Sequence, residues 1–145
     1  MFCLVLTGCA TLPLPPNPGA ARARQVTEQA KALIGKPYRY GGSTPAGFDC
    51  SGFVCYVYRQ TLNLSLPHNS GKLYAATRPV KHGEESPADL IFFSLKRNNA
   101  PSHVGIYLGN GQFVHASTTG DNVKISNAND PYWRKRLLGV RRVLN

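Results

Sequence analysis

Residues 47–56 read Gly47-Phe48-Asp49-Cys50-Ser51-Gly52-Phe53-Val54-Cys55-Tyr56. Two cysteines five positions apart can be a cross-link, a metal clamp, two core residues, or a reactive thiol with a bystander. Phe53, Val54, Val57, Tyr58 and Leu62 recur at helical spacing, which predicts a helix from about Cys50 to Thr61 with Asp49 or Cys50 at its N-cap. On that helix the second cysteine lies about 140° around the axis from the first and ~7.5 Å along it. Disulfides rarely join Cα atoms more than ~6.8 Å apart, so these two do not pair. Cys55 falls mid-helix among apolar neighbours and reads as a small core residue. Cys50 falls at the helix start, where unpaired N–H groups and the positive end of the dipole favour a thiolate. A nucleophile also needs a partner base.

The chain has 145 residues and 42% hydrophobic content, enough for one domain with a core. Its 14 glycines and 11 prolines announce many turns. A net charge of +10, from 17 Lys and Arg against 7 Asp and Glu, favours anionic partners. The basic residues are dispersed apart from Arg134-Lys135-Arg136 and Arg141-Arg142. With no nucleic-acid motif beside them they read as a solvated face, and no nucleic-acid partner is expected.

At the N-terminus, the apolar run Phe2–Leu6 leads into Leu6-Thr7-Gly8-Cys9, which resembles a bacterial lipobox. Cys9 is then the lipidated residue and the membrane attachment point. No Lys or Arg precedes the run, which is shorter than the usual ~7–15 residues, so the signal reads as truncated. Six of the ten residues Thr11–Ala20 are Pro, Gly or Asn, as in an extended tether. Residues 1–21 are read as signal, lipobox and tether, and 22–145 as the folded domain. This implies an exported, lipid-anchored protein of the bacterial envelope that faces the periplasm, with the outer membrane as the expected anchor site.

Further along, Val26, Ala30, Leu33 and Ile34 mark a helix over about 20–35, stopped by Gly35 and Pro37. Gly41–Gly47 is a turn-rich loop, and a short helix is expected over about 70–76. After that the period shortens. Leu90–Phe93, His103–Leu108, Gln112–Ala116, Val123–Ile125 and Gly139–Val143 read as strands. Helices followed by an antiparallel sheet give an α+β fold.

The candidate bases are His68, His82, His103 and His115. His103 and His115 flank Gly109-Asn110-Gly111. A three-residue loop there makes Leu108 face Gln112, so opposed residue numbers sum to 220. His103 and His115 then become diagonal neighbours on one face, about 7–8 Å apart at Cα, close enough for one imidazole to orient the other. A two-residue loop would send them to opposite faces. Two polar residues on a solvated face is the alternative.

The sequence resembles the NlpC family of bacterial cell-wall cysteine peptidases, which have a papain-like α+β fold. The matching segments are Gly35–Gly42, Phe48–Val54, Ala88–Phe93, His103–Gly109 and Phe113–Ser117, in the family's order. The resemblance implies N-terminal helices packed on an antiparallel sheet of five to six strands. It implies Cys50 as nucleophile, His103 as general base and His115 as the group that orients His103. Tyr38 matches a tyrosine beside the nucleophile, suited to hydrogen-bond the oxyanion with the Cys50 N–H. Asp49 and Ser51 match positions that shape the substrate site. The implied substrate is the stem peptide of peptidoglycan, cut at a D-glutamyl–diaminopimelate or a D-alanyl–diaminopimelate bond. No cofactor or metal is implied, and a monomer is expected. An acyltransferase or another amidase would use the same thiol and imidazole. A zinc set of Cys50, His103 and His115 would lack a fourth ligand and a Glu base. Two departures stand out: His68 occupies a position where Arg is usual, and Leu73 one where Gln is usual.

Overall fold

The computed structural model describes residues 17–144. Cys3, Cys9 and most of the N-terminal tether lie outside the described residues. Helix α1 (Pro18–Ala32) starts a little earlier than its apolar stripe suggests. Pro18 sits in its first turn, and the Asn17 side chain caps it by accepting from Gly19 N at 2.9 Å. The chain then runs over a two-stranded hairpin, β1 (Ser43–Thr44) and β2 (Gly47–Phe48), into α2 (Cys50–Leu62) and α3 (Ser70–Ala76). β3 (Arg78–Val80), β4 (Leu90–Phe93), β5 (His103–Gly109), β6 (Gln112–Ser117) and β7 (Asn122–Asn127) follow. The chain closes with the short helix α4 (Pro131–Arg134) and β8 (Leu137–Arg142).

Six strands form one antiparallel sheet in the order β3-β8-β4-β5-β6-β7. The α+β class and the six-stranded antiparallel sheet are as expected from sequence. The sheet is covered on both faces, which is why β4 reads as the unbroken apolar run Leu90-Ile91-Phe92-Phe93 with no alternation. Leu90 and Phe92 join the main core with Phe53, Val54 and Val57 of α2, and with Val104, Ile106 and Val114. Ile91 and Phe93 face the other way, into a smaller cluster with Phe113, Val140 and Trp133.

Helix α2 is the central helix, packed against β5 and β6. Its buried face of Phe53, Val54, Val57 and Tyr58 is the predicted one. Cys55 differs from its reading as a core residue. It is half-buried, and its thiol donates toward the carbonyls of Leu66 and Pro67 at 3.3 and 3.4 Å, tying down the loop between α2 and α3. At the opposite end of the sheet, Asp89 is 2% exposed and holds Arg142 in a two-pronged pair at 2.7 and 2.8 Å. Among the described residues no helix is long and apolar enough to cross a membrane.

Three segments carried no strand or helix signal and form elements nonetheless. They are the β1–β2 hairpin, edge strand β3, and α4, whose Asp130-Pro131 start gives it one turn. Each is too short for periodicity to register.

Candidate active site

Asp49 caps α2, its Oδ1 accepting from Gly52 N at 2.7 Å, and this sets Cys50 as the first helical residue. The Cys50 and Ser51 N–H groups in that turn have no intrahelical acceptor. Asp49 Oδ1 also meets His68 Nε2 at 2.7 Å and Ser51 Oγ at 3.5 Å. His68 thus anchors the α2–α3 loop to the helix cap, while Ser51 is buried.

The Cys50 thiol is half-buried against the main core. Burial pushes its pKa up, with the Asp49 carboxylate adding to the effect. A hydroxyl contact from Ser70 at 3.6 Å and the N–H groups of Val104 and Ser51 act the other way. The net direction is upward, which corrects the expectation that the helix start alone would favour a thiolate. The Val104 N–H directed at the sulfur places the thiol against the beginning of β5, where His103 is the preceding residue.

His103 is 6% exposed and His115 is fully buried, so these side chains are not on a solvated face. The β5–β6 register is 106↔114 and 107↔113, the predicted sum of 220. The turn that produces it is not the predicted one. Gly109 pairs with Gln112 across a two-residue Asn110-Gly111 turn with both φ values positive (52° and 77°), and a bulge lies between Tyr107 and Gly109. The bulge restores the face that a plain two-residue hairpin would have lost. A Cβ on Gly105 would come within 2.8 Å of the Phe113 ring and 3.2 Å of the His115 Cβ. The missing side chain is therefore what lets the imidazoles meet across the ladder, with His103 Nε2 2.8 Å from His115 Nδ1.

The chain of contacts continues: His115 Nε2 lies 2.9 Å from Ser126 Oγ on β7. His103 Nδ1 makes no hydrogen bond among the described residues. A consistent assignment has His103 Nε2–H donating to His115 Nδ1 and His115 Nε2–H donating to Ser126 Oγ, which leaves His103 Nδ1 as a free basic nitrogen. Burial lowers the His103 pKa to about 4. His115 is lowered further by burial, by His103 and by Lys124. Both rings are neutral at pH 7.

Trp133 on α4 covers the pair. Its ring is stacked on His103 at 5.5 Å with a 26° interplanar angle, and meets His115 edge-on at 5.1 Å. Phe93 and Phe113 complete the aromatic enclosure. Sequence reasoning missed Trp133 and Ser126. The first is the only tryptophan in the chain, and the second lies one residue beyond the predicted end of its strand.

Tyr38 is half-buried beside Cys50. The 35–38 segment is hydrogen-bonded to residues 121–123, with Tyr38 N donating to Asp121 O at 2.8 Å. Burial, then the neighbouring Cys50, Asp49 and Tyr40, raise the phenol pKa, so Tyr38 stays an O–H donor throughout the neutral range. Among the described residues no cluster of His, Cys, Asp and Glu is spaced to hold a metal ion. The structure thus gathers Tyr38, Asp49, Cys50, Ser51, His103 and His115 around the start of α2 and of β5, and adds Ser70, Ser126 and Trp133. A thiol, a neutral imidazole with a free nitrogen, and several N–H and O–H donors form a set capable of acyl transfer.

Comparison with known proteins points the same way. The NlpC/P60 family model matches residues 35–142. The chain is 39% identical over 114 residues to the murein DD-endopeptidase MepH of Escherichia coli K12, covering 77% of this chain and 42% of that protein. It is 40% identical over 121 residues to the gamma-DL-glutamyl hydrolase of Bacillus subtilis 168, covering 83% and 29%. It therefore spans less than half the length of either relative. A crystal structure of an NlpC/P60 family protein from Bacillus cereus ATCC 10987 superposes with a TM-score of 0.79 at 30% identity, covering 85% of this chain and 40% of that one. With the matched region running from the segment before Tyr38 to the end of β8, enclosing every residue of the site, this chain belongs to the NlpC/P60 family of cysteine peptidases.

Proposed function

We propose that the chain is a peptidoglycan endopeptidase in which Cys50 attacks a stem-peptide amide and His103 moves the proton. The observation that carries this reading is the His103–His115–Ser126 chain, which leaves His103 Nδ1 free next to the strand residue whose N–H faces the thiol. His103 Nδ1 accepts the Cys50 Sγ proton as sulfur bonds to the amide carbonyl carbon. The oxyanion receives hydrogen bonds from the Cys50 N–H and the Tyr38 O–H. Collapse breaks the C–N bond, the amine leaves with the proton from His103, and a thioester remains. Water, deprotonated by His103, then releases the acid and restores the thiol. Asp49 and Ser51 hold the helix start and, with it, the edge of the substrate site.

The bond cut is a D-glutamyl–diaminopimelate or D-alanyl–diaminopimelate linkage of the stem peptide, the two alternatives that the family resemblance implies. Incubation with defined muropeptides, read by mass spectrometry, distinguishes the two. Release of neither product, with the thiol shown free, would defeat the peptidase reading. The lipobox-like Leu6-Thr7-Gly8-Cys9 stretch supports a protein tethered by lipid on Cys9, facing the periplasm from the outer membrane. Metabolic palmitate labelling should be lost in Cys9→Ser, and labelling that persists would refute the anchor.

Ser126→Ala tests the far end of the chain of contacts. It leaves the buried His115 N–H without an acceptor, at a cost of about 1–3 kcal/mol in denaturation. It also makes His115 Nδ1 a poorer acceptor for His103 Nε2–H, so kcat should fall about tenfold with KM little changed. Ser126→Thr retains the hydroxyl and should recover most of the rate. Equal kcat values for the Ala variant and wild type would exclude the role.

A further inference from the structure

A cavity of about 310 Å³ lies between the β4–β5 loop and the segment following α4, lined by Lys96, Arg97, Lys135 and Arg136 with Ser94 and Asn99. None of the chain's 7 acidic residues lines it. Lys96, Arg97 and Lys135 are exposed and form no ion pair among the described residues. Four cations gathered on a concave surface repel one another, and the focused positive potential is relieved by an anion.

The walls are cross-linked by hydrogen bonds. Ser94 N donates to Arg136 O at 2.9 Å, Leu95 N to Ser102 Oγ at 2.8 Å, and Ser94 Oγ to Lys96 O at 2.8 Å. The Arg136 guanidinium donates to Tyr132 O at 2.7 Å and lies 3.8 Å over the Tyr132 ring. The cavity also adjoins the candidate active site. One wall begins after Phe93, the residue paired with His103, and its loop returns at Ser102, just before His103. The other wall follows Trp133, which is stacked on His103.

We infer that this cavity is a second binding site for peptidoglycan, taking the carboxylates of a stem peptide adjacent to the one presented to Cys50. The inference rests on the peptidase reading. Leu95 and Leu137, 42% and 41% exposed, line the same cavity. A peptide that alternates carboxylates with short aliphatic side chains matches cations interspersed with leucines. A lipid surface meets protruding side chains and would not enter a concavity.

The test is charge reversal, Lys96→Glu with Lys135→Glu, with the milder Lys96→Gln/Lys135→Gln pair as a second variant. Binding is measured with full-length Cys50→Ala protein on purified sacculi, so its outcome does not depend on hydrolysis. Charge reversal should weaken binding about tenfold or more, and the neutral pair by less, with a shallower salt dependence in both. Sacculi whose carboxylates have been amidated should show the same loss. With Cys50 intact, the reversed variant should hydrolyse a soluble single-stem muropeptide within about twofold of wild type, because the cavity acts on a neighbouring stem. Unchanged binding on charge reversal or on amidation would overturn the inference. So would binding to phosphatidylglycerol vesicles that charge reversal abolishes while sacculus binding persists.

Discussion

On the proposed mechanism, Cys50→Ala should lower muropeptide hydrolysis by more than about a thousandfold, because the acyl intermediate forms on its sulfur. The fold should be little affected, since the half-buried thiol makes only weak contacts to the Ser70 hydroxyl at 3.6 Å and to the Val104 and Ser51 N–H groups, and the helix cap belongs to Asp49. The resting ionisation state gives a second arm to the same prediction. Burial raises the thiol and lowers His103, so the expected resting state at pH 7 is a neutral thiol and a neutral imidazole, not a preformed ion pair. Alkylation of the free enzyme by iodoacetamide should be slow near neutrality and rise on the alkaline side, without a low-pH thiolate plateau. A plateau extending to pH 5 would show an ion pair and refute the neutral resting state. Stability has the opposite dependence at the acid end. The folded His103 binds its proton only near pH 4, whereas an unfolded histidine binds it near 6.5, so stability falls as pH drops from about 6.5 towards 4.

The site was legible in sequence where local rules decide it, and less so where contacts are long-range. The cap at Asp49 follows from the identity of the helix start. The meeting of His103 and His115 follows from the parity of one hairpin. That inference reached the right register through a different turn: Asn110-Gly111 forms the two-residue loop its dipeptide favours, and the bulge before Gly109 supplies the extra residue. The raised thiol pKa was not legible, because burial of Cys50 depends on how α2 seats against β5, and a place at a helix start does not show how deeply the sulfur is buried. Trp133 and Ser126 were missed for the same reason. Each reaches the imidazoles from an element remote in sequence, and neither carries a periodic signal of its own. His68, a departure from the expected Arg, is accommodated because imidazole Nε2 reaches the Asp49 carboxylate at 2.7 Å.

Gly52→Ala should destabilise the fold by more than about 3 kcal/mol, a change whose sign is opposite to the usual one. In an open helix, replacing Gly by Ala stabilises by about 0.5–1 kcal/mol through propensity. Here a Cβ at position 52 would lie 2.0 Å from the Gly42 carbonyl oxygen and 2.9 Å from both Asp49 Oδ1 and His68 Nε2. The Gly42 oxygen is backbone, held by the turn in which Gly42 N donates to Arg39 O, and it accepts from Asp49 N at 2.9 Å. Relief of the clash must therefore either push the 39–42 turn away, breaking the Asp49 N bond, or lift the start of α2 and displace Cys50 from the Val104 N–H. Both routes cost activity as well as stability. Gly19→Ala in α1 is the control, because its Cβ would make only an ordinary 3.4 Å contact with the Asn17 side chain; it should change stability by no more than about 0.5 kcal/mol. Urea denaturation of the two variants side by side decides the matter. If Gly52→Ala unfolds at the wild-type midpoint, the close approach of α2 to the Gly42 carbonyl cannot be what requires glycine two residues after Cys50.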